Sequence, residues 1–416
     1  MKVLWITNIL FAHHLEMMGK DSNRVSGGTW LYAAYEASRC NDSIQLHIAT
    51  VSNVAETKVD IKDGNSFYIL PGGNSINYDI KSQSNLENWN KLRRDINPDV
   101  IIVWGTETRF AYLAMKAMHG IPTAIYMQGA IGSIYEHYYE GVPHKYKLCT
   151  LRDVINKFNQ KSQINNFKHQ VSLERKMIGM ANAVIVENDW CEDFCRSINP
   201  KLNVYRNMLP IRDVFYRHQW SVDRMKRQTI FTNAGGYPIK GHHILFQALA
   251  IVKKKYPDFV CCVPGAKLST FDNFKRQTGY MKWLKRLIEE KGLAENVVYT
   301  GPLTSEQMAE YISNCNVYVM PSIVENHSSS LIEAMIIGAP VVSSLVGGCA
   351  ELIAPKLNGF LYNSLDAESL AGNIIRIFED EALTRSLAKN ALKTRQIRKR
   401  NFGDEMNEIY SLLVNR

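Results

Sequence analysis

Glu325 and Glu333 stand eight positions apart in SIVENHSSSLIEAMIIGAPVVSS (322–344), with Ser328, Ser329 and Ser330 between them. Carboxylates accept hydrogen bonds from sugar hydroxyls. Ser328 or Ser329 suits a helix N-cap, its hydroxyl accepting from a first-turn N–H. The apolar run that follows reads as the start of a helix, with Glu333 about one turn inside it and Glu325 in the preceding loop. A helix N-terminus offers free N–H groups and partial positive charge to phosphate oxygens. An anion bound there, carrying hydroxyl-rich groups on both sides, would meet both carboxylates. On spacing alone the plain alternative stands: Glu333 complements the helix dipole and Glu325 is a solvated loop residue.

Two further stretches have the same flavour. NAGGYPIKGHHILFQAL (233–249) follows an apolar strand, and Lys240 sits just before an amphipathic helix, where an ammonium can serve a phosphate as a point charge. Gly235 and Gly236 close the strand before it. RVSGGTWLYAAYEAS (24–38) opens a helix with Gly27 and Gly28, which let backbone approach a ligand closely. Neither G-x-G-x-x-G nor a phosphate-loop G-x-x-x-x-G-K-[ST] is present.

These residues need elements to hold them. Apolar runs at 2–10, 44–51, 67–71, 99–105, 123–129 and 183–188 alternate with helical patterns, among them Thr106–His119. A second series lies at 228–236, 259–265, 296–301, 317–322, 340–344 and 359–363. Continuous apolar strands separated by helices imply parallel sheets covered on both faces. Two series imply an α/β protein of two doubly wound, Rossmann-like domains. The polar stretch 206–227 interrupts the alternation and reads as a linker. Ligands in such folds bind beyond the carboxyl ends of the strands, so two domains facing across a cleft suit a two-substrate reaction.

The length of 416 residues accommodates two or three domains, and 46% hydrophobic with 21% charged residues is ordinary for a globular chain. The opening MKVLWITNIL reads as a buried strand rather than a secretory leader, and Ala334–Ala350 is too broken by Gly and Pro to span a membrane. Eight irregularly spaced cysteines suggest reduced thiols in a cytoplasm. Cys191 and Cys195 share a helix face, but no second pair at metal-site spacing accompanies them, which favours structural thiols. A net charge of +9 favours anionic partners, with no aromatic-interleaved basic patch to suggest nucleic acid. Between Lys145 and Lys176 eight basic residues face two acidic ones. Leu148, Leu151, Ile155 and Phe158 share one helical stripe, as do Ile164, Phe167 and Val171. Such a stretch either lies on an anionic membrane or packs on its own domain. The terminal KTRQIRKR (393–400) reads as a solvated helix face.

Taken in order, KGHHILFQAL, VVYTGPLTSEQMAEYISNCNVYVMPS, the Glu-x7-Glu segment, VGGCAELI and NGFLY make the second half resemble the retaining, nucleotide-sugar-dependent glycosyltransferases of the GT-B fold, specifically glycosyltransferase family 4. The first half is similar only in its opening strand, its Gly pair and its alternation. The resemblance implies a hexosyltransferase with an acceptor-side domain (1–205), a linker (206–227), a nucleotide-sugar domain (228–395) and a terminal helix (396–416) packing back on the first domain. It implies donor contacts from Lys240 to the diphosphate, Glu325 to the sugar and Glu333 to the ribose. Backbone around Ser329, Ser330 and Leu331 would face sugar and phosphate. Gly27, Gly28, Gly235 and Gly236 would line the diphosphate, and Gly301 to Leu303 the base.

Two departures stand out. Gly235 occupies a position where many relatives carry an arginine for the phosphate, for which Arg109 is a candidate replacement. Gln128, in YMQGAIG, stands where many carry a histidine near the reacting carbon; Gln hydrogen-bonds a hydroxyl but exchanges no proton. The catalytic candidates are therefore Glu325, Lys240 and Gln128. His13 and His14, just past the first strand, are acceptor-side candidates or plain loop histidines. No Asp-x-Asp occurs, so neither a metal nor another cofactor is expected. The partners implied are a nucleotide sugar and a sugar or polyprenyl-linked acceptor, in polysaccharide or glycolipid synthesis at the inner membrane face. A non-catalytic nucleotide-sugar-binding protein remains the alternative; an epimerase of the same fold is disfavoured by ENHSSSLIEAM.

Overall fold

The structure, a computed structural model, describes residues 1–21, 29–39, 43–73, 78–147, 160–232, 235–265 and 278–415. The chain divides into two compact units. One comprises Met1–Gly132, Asn166–Pro210 and Arg400–Arg416, the other Ser133–Asn165 and Ile211–Lys399.

The first unit holds an eight-stranded sheet of β1 (Lys2–Thr7), β2 (Gln45–Ser52), β3 (Lys58–Lys62), β4 (Asn65–Pro71), β5 (Val100–Trp104), β6 (Thr123–Tyr126), β7 (Ala183–Val186) and β8 (Asn203–Arg206). Their order is β3-β4-β2-β1-β5-β6-β7-β8, and all pairs are parallel except β3 with β4. The apolar runs become central strands because both faces are covered: every residue of β5, β6 and β7 is buried. The sequence reading lacks β3 and β8 for a physical reason. Both are edge strands, so β3 is exposed along its whole length with lysines at its ends, and β8 is only half-buried. The helix Phe402–Val414 covers one face, with Trp5 Nε1 donating to Tyr410 Oη at 3.0 Å.

The second unit holds β9 (Thr229–Thr232), β10 (Val260–Pro264), β11 (Val297–Gly301), β12 (Val317–Met320), β13 (Val341–Ser344) and β14 (Phe360–Tyr362), ordered β11-β10-β9-β12-β13-β14 and all parallel. The order reverses between β9 and β12, and a doubly wound sheet opens its binding crevice at such a switch.

The units depart from the sequence-based division in two places. The stretch after Gly132 belongs to the second unit, where Glu140 O faces His243 Nε2 at 3.1 Å and the Tyr146 ring stacks on Trp283 with centroids 5.7 Å apart. Those partners lie more than a hundred residues away, so no local pattern announces them. Residues 206–227 are not a free linker either. Ile211, Val214, Phe215 and Trp220 are buried in the second core. Trp220 is fixed at both ends, its Nε1 donating to Cys315 O at 2.7 Å and its backbone N–H to Ile337 O at 2.8 Å.

Candidate donor site at the switch of the second sheet

The loop leaving β12 carries Glu325 and the turn leaving β9 carries Lys240, so the strand order alone makes them neighbours. Lys240 Nζ and Glu325 Oε2 are 2.7 Å apart, the side chains 18% and 17% exposed. Ser322 Oγ donates to the same carboxylate oxygen at 3.1 Å. Burial depresses the Lys240 pKa, but the adjacent Glu325 carboxylate more than offsets this and leaves it above the ordinary lysine value. The two loops are also stitched through backbone, Ile323 N donating to Ile239 O at 2.7 Å. Gly241 makes that stitch possible. Its φ is +69°, and a Cβ there would lie 1.7 Å from Pro321 O.

Gly235 has its own steric reason. A Cβ at 235 would come within 2.5 Å of Lys240 Cβ and Cγ, so the lysine stem crosses the space that a larger residue would need. A larger residue at 235 would require the Lys240 side chain to shift. Gly236 is exposed, with open space around it.

The helix Ser329–Ile337 begins where the serines suggest. Ser328 is the N-cap, its Oγ accepting from Leu331 N at 3.4 Å and lying 3.0 Å from Ser330 Oγ. Leu331 N–H is thus committed to the cap, which leaves the N–H groups of Ser329 and Ser330 as first-turn donors without an intrahelical acceptor. From Leu331 to Ile337 every side chain is buried.

Glu333, in that buried run, has a side chain only 7% exposed and sits 2.8 Å from Arg212 Nη2. Burial pushes its carboxyl above the ordinary range and Arg212 pulls it back part of the way. Arg212 also donates to Ser305 Oγ and lies over the Phe215 ring, its Cζ 4.8 Å from the centroid. Ser305 opens the helix that follows Gly301–Leu303. Gly301 ends β11 at φ +78° and Leu303 packs against the second core.

Sequence reasoning passed over Arg212 because its stretch looked like a linker. The signal was present in Ile211, Val214 and Phe215, whose spacing marks a buried helix face. The terminal basic run is solvated at Lys393, Gln396, Lys399 and Arg400, as expected, but not at two of its arginines. Arg395 donates to Ile336 O at 2.6 Å and to His218 O, while Arg398 is buried with Nη2 3.1–3.2 Å from the His327 ring nitrogens. These arginines satisfy carbonyls and the Glu325 loop instead of facing solvent.

The other candidates lie elsewhere. Gln128 follows β6 in the first unit, half-buried, and its Nε2 donates to no group among the described residues. Arg109, in the same unit, donates to Asn166 Oδ1 at 3.2 Å. His13 lies 3.1 Å from both Glu16 and Asp60. His14 is fully buried and accepts from Phe11 N at 3.1 Å; burial lowers its pKa to about 3, which makes it a neutral structural residue. Cys191 and Cys195 are buried in the first core, their thiol pKa values raised by desolvation. Gly27 and Gly28 lie outside the described residues. One feature of the first unit was not anticipated: the buried Glu174 carboxylate accepts from Thr106 Oγ1 at 2.8 Å and from Ile131 and Gly132 N at 2.9 and 3.2 Å, capping the helix Ile131–His137.

Residues 216–394 match the family model described as glycosyl transferases group 1. The chain is 28% identical over 153 residues to a D-inositol 3-phosphate glycosyltransferase of Corynebacterium urealyticum, a match covering 37% of this chain and 35% of the relative. It is 36% identical over 84 residues, 20% of this chain and 22% of the other, to N,N'-diacetylbacillosaminyl-diphospho-undecaprenol alpha-1,3-N-acetylgalactosaminyltransferase of Campylobacter jejuni. The matched stretch thus spans about a third or less of the length of these relatives. Among solved structures, Anabaena Alr3699/HepE in complex with UDP and glucose superposes with a TM-score of 0.68 at 17% identity, covering 99% of each chain. The fold is GT-B, two Rossmann-like units whose sheets are parallel except for the β3–β4 pair.

Proposed function

We propose that the chain is a retaining glycosyltransferase of the family 4 type that moves a sugar from a nucleoside diphosphate sugar to an acceptor hydroxyl, in polysaccharide or glycolipid synthesis. The observation that carries this reading is the meeting of Lys240, Glu325 and the N-terminus of the Ser329–Ile337 helix at the switch between β9 and β12. As the glycosidic bond breaks, negative charge grows on the leaving diphosphate. A fixed ammonium and first-turn N–H groups aimed at that charge stabilise the transition state more than the ground state. The departing phosphate oxygen can take the acceptor proton, so Gln128, which moves no proton, is compatible with turnover in a hydroxyl-orienting role. Glu325 would hold the sugar and Glu333 the ribose.

The structural relative that holds UDP and glucose makes UDP-glucose the first donor to test. Thermal shift across a panel of UDP-, GDP-, ADP- and TDP-sugars, followed by assay of donor hydrolysis, separates the readings. Stabilisation by one donor with slow hydrolysis is expected. Stabilisation without hydrolysis or transfer would favour a binding protein that lacks catalysis, and no stabilisation by any donor would overturn the assignment.

An acceptor carried on a lipid agrees with the basic stretch 145–176 and with the undecaprenol-linked substrate named for the Campylobacter relative. No helix among the described residues is long and apolar enough to cross a membrane. Of this stretch, 148–159 lies outside the described residues, while Lys168 is exposed on the helix Gln160–Met180. Peripheral contact is the proposal. The protein should sediment with vesicles containing anionic lipid, less so with neutral ones, and less as salt rises. Each basic residue near such a surface contributes about 1 kcal/mol. Changing Lys157, Lys161 and Lys168 together to Glu should abolish sedimentation and spare nucleotide binding. Equal sedimentation of both proteins would return the stretch to a helix packed on its own unit.

A further inference from the structure

A carboxylate inside a protein accepts hydroxyl groups most strongly when it is charged and points the right way. Glu333 meets neither condition unaided. It is buried, and burial favours the neutral acid, which is the weaker acceptor and turns one oxygen into a donor. Two titratable groups act on it: Arg212, from the segment before the helix Asp213–Arg217, which bonds it directly, and the buried Tyr318 phenol of β12, which interacts with it electrostatically. Of these only Arg212 is a cation.

Arg212 is itself held. Nη1 is fixed on Ser305 Oγ, and the guanidinium plane rests over Phe215, while Nη2 grips Glu333 Oε1 at 2.8 Å. A guanidinium pinned on two sides has little rotamer freedom left, so its grip orients the carboxylate as well as charging it. It engages one oxygen, Oε1, while Oε2 accepts no hydrogen bond among the described residues.

We propose that Arg212 is a positioning residue for nucleoside recognition, acting through Glu333 by keeping that buried carboxylate ionised and turned so that Oε2 meets the ribose hydroxyls. The inference rests on the donor-site reading above. It adds a residue that the Glu-x7-Glu pattern does not contain and that lies 121 positions away in the chain.

The test compares wild type, Arg212→Ala, Arg212→Lys, Glu333→Gln and the double variant Arg212→Ala/Glu333→Gln, with UDP as probe, or with whichever of GDP, ADP and TDP wild type binds. Calorimetry between pH 6 and pH 9 gives the affinities. Arg212→Ala is expected to bind at least about tenfold more weakly at pH 6, the scale of one charge-assisted hydrogen bond. The deficit relative to wild type should shrink as pH rises and Glu333 ionises without its partner. Arg212→Lys should recover part of the loss. The KM for donor should rise in Arg212→Ala while kcat at saturating donor changes little. The double variant removes both charges, guarding against a fold lost to an uncompensated carboxylate, and should bind within about twofold of Glu333→Gln with no pH trend.

A pH-independent deficit, a deficit in kcat alone, or a large further loss in the double variant would overturn the positioning role. So would equal affinity of Arg212→Ala and wild type. If wild type binds none of the four nucleotides, the donor-site reading itself fails, and this inference falls with it.

Discussion

Lys240→Ala is expected to bind the nucleoside diphosphate about ten- to a hundredfold more weakly and to lose at least as much in turnover. One charge-assisted phosphate contact is worth roughly 1.5–3 kcal/mol, which gives that range. The larger share should fall on kcat, because leaving-group charge is greatest in the transition state. No second cation is placed to compensate from the β9 turn: position 235 is glycine and the lysine stem fills its space. The variant should fold, since Lys240 is partly exposed and its loss leaves Glu325 still accepting from Ser322. Calorimetry with UDP and a single-turnover assay read the two effects. A folded variant with unchanged affinity and rate would remove Lys240 from the site.

Glu325→Gln should behave in the opposite sense toward the nucleotide. In the structure the carboxylate occupies the Lys240 ammonium at 2.7 Å, so a diphosphate arriving at the site has to draw the lysine off its partner. Gln is close to isosteric and uncharged, and it competes less. Affinity for the bare nucleoside diphosphate should therefore stay level or tighten by up to about tenfold, on the scale of a partly buried ion pair. Turnover should still fall on the order of a hundredfold, because the group that holds the sugar in reacting geometry is gone and misplacement alone carries that penalty. The pattern of tighter product binding with slower transfer distinguishes Glu325 from Glu333, whose replacement should weaken the bare nucleotide. A loss of nucleotide affinity in Glu325→Gln would reverse the two assignments.

Much of this arrangement could be read before any coordinates. β5, β6, β9 and β12 are continuous apolar runs because both their faces are covered, and that pattern survives in a single sequence. Ser328 as a cap and Lys240 before its helix are local features, set by neighbours within a turn of the chain. What could not be read has a common cause. The Arg212–Glu333 pair, the seat of Arg398 on His327 and the capping of Ile131 by Glu174 each join residues dozens to more than a hundred positions apart. A polar side chain that bonds inward looks, in a sequence, like one that faces water. The edge strand β3 was missed for the converse reason: it has no buried face and so leaves no apolar run.

The passage of the chain between its two units has a bearing on enzyme engineering. Residues 133–165 belong with 211–399, and 400–416 belong with the amino-terminal portion, so the polypeptide crosses four times rather than once. A hybrid made by joining two such genes near position 210 would give the carboxyl-terminal half a foreign Glu140–Tyr146 segment to place against His243 and Trp283. It would also give the amino-terminal half a foreign terminal helix to place against Trp5. Exchange of the second unit between relatives therefore calls for transplanting 133–165 together with 211–399 while retaining the native 400–416. Modules in this protein are defined by packing, and recombination has to follow their four seams.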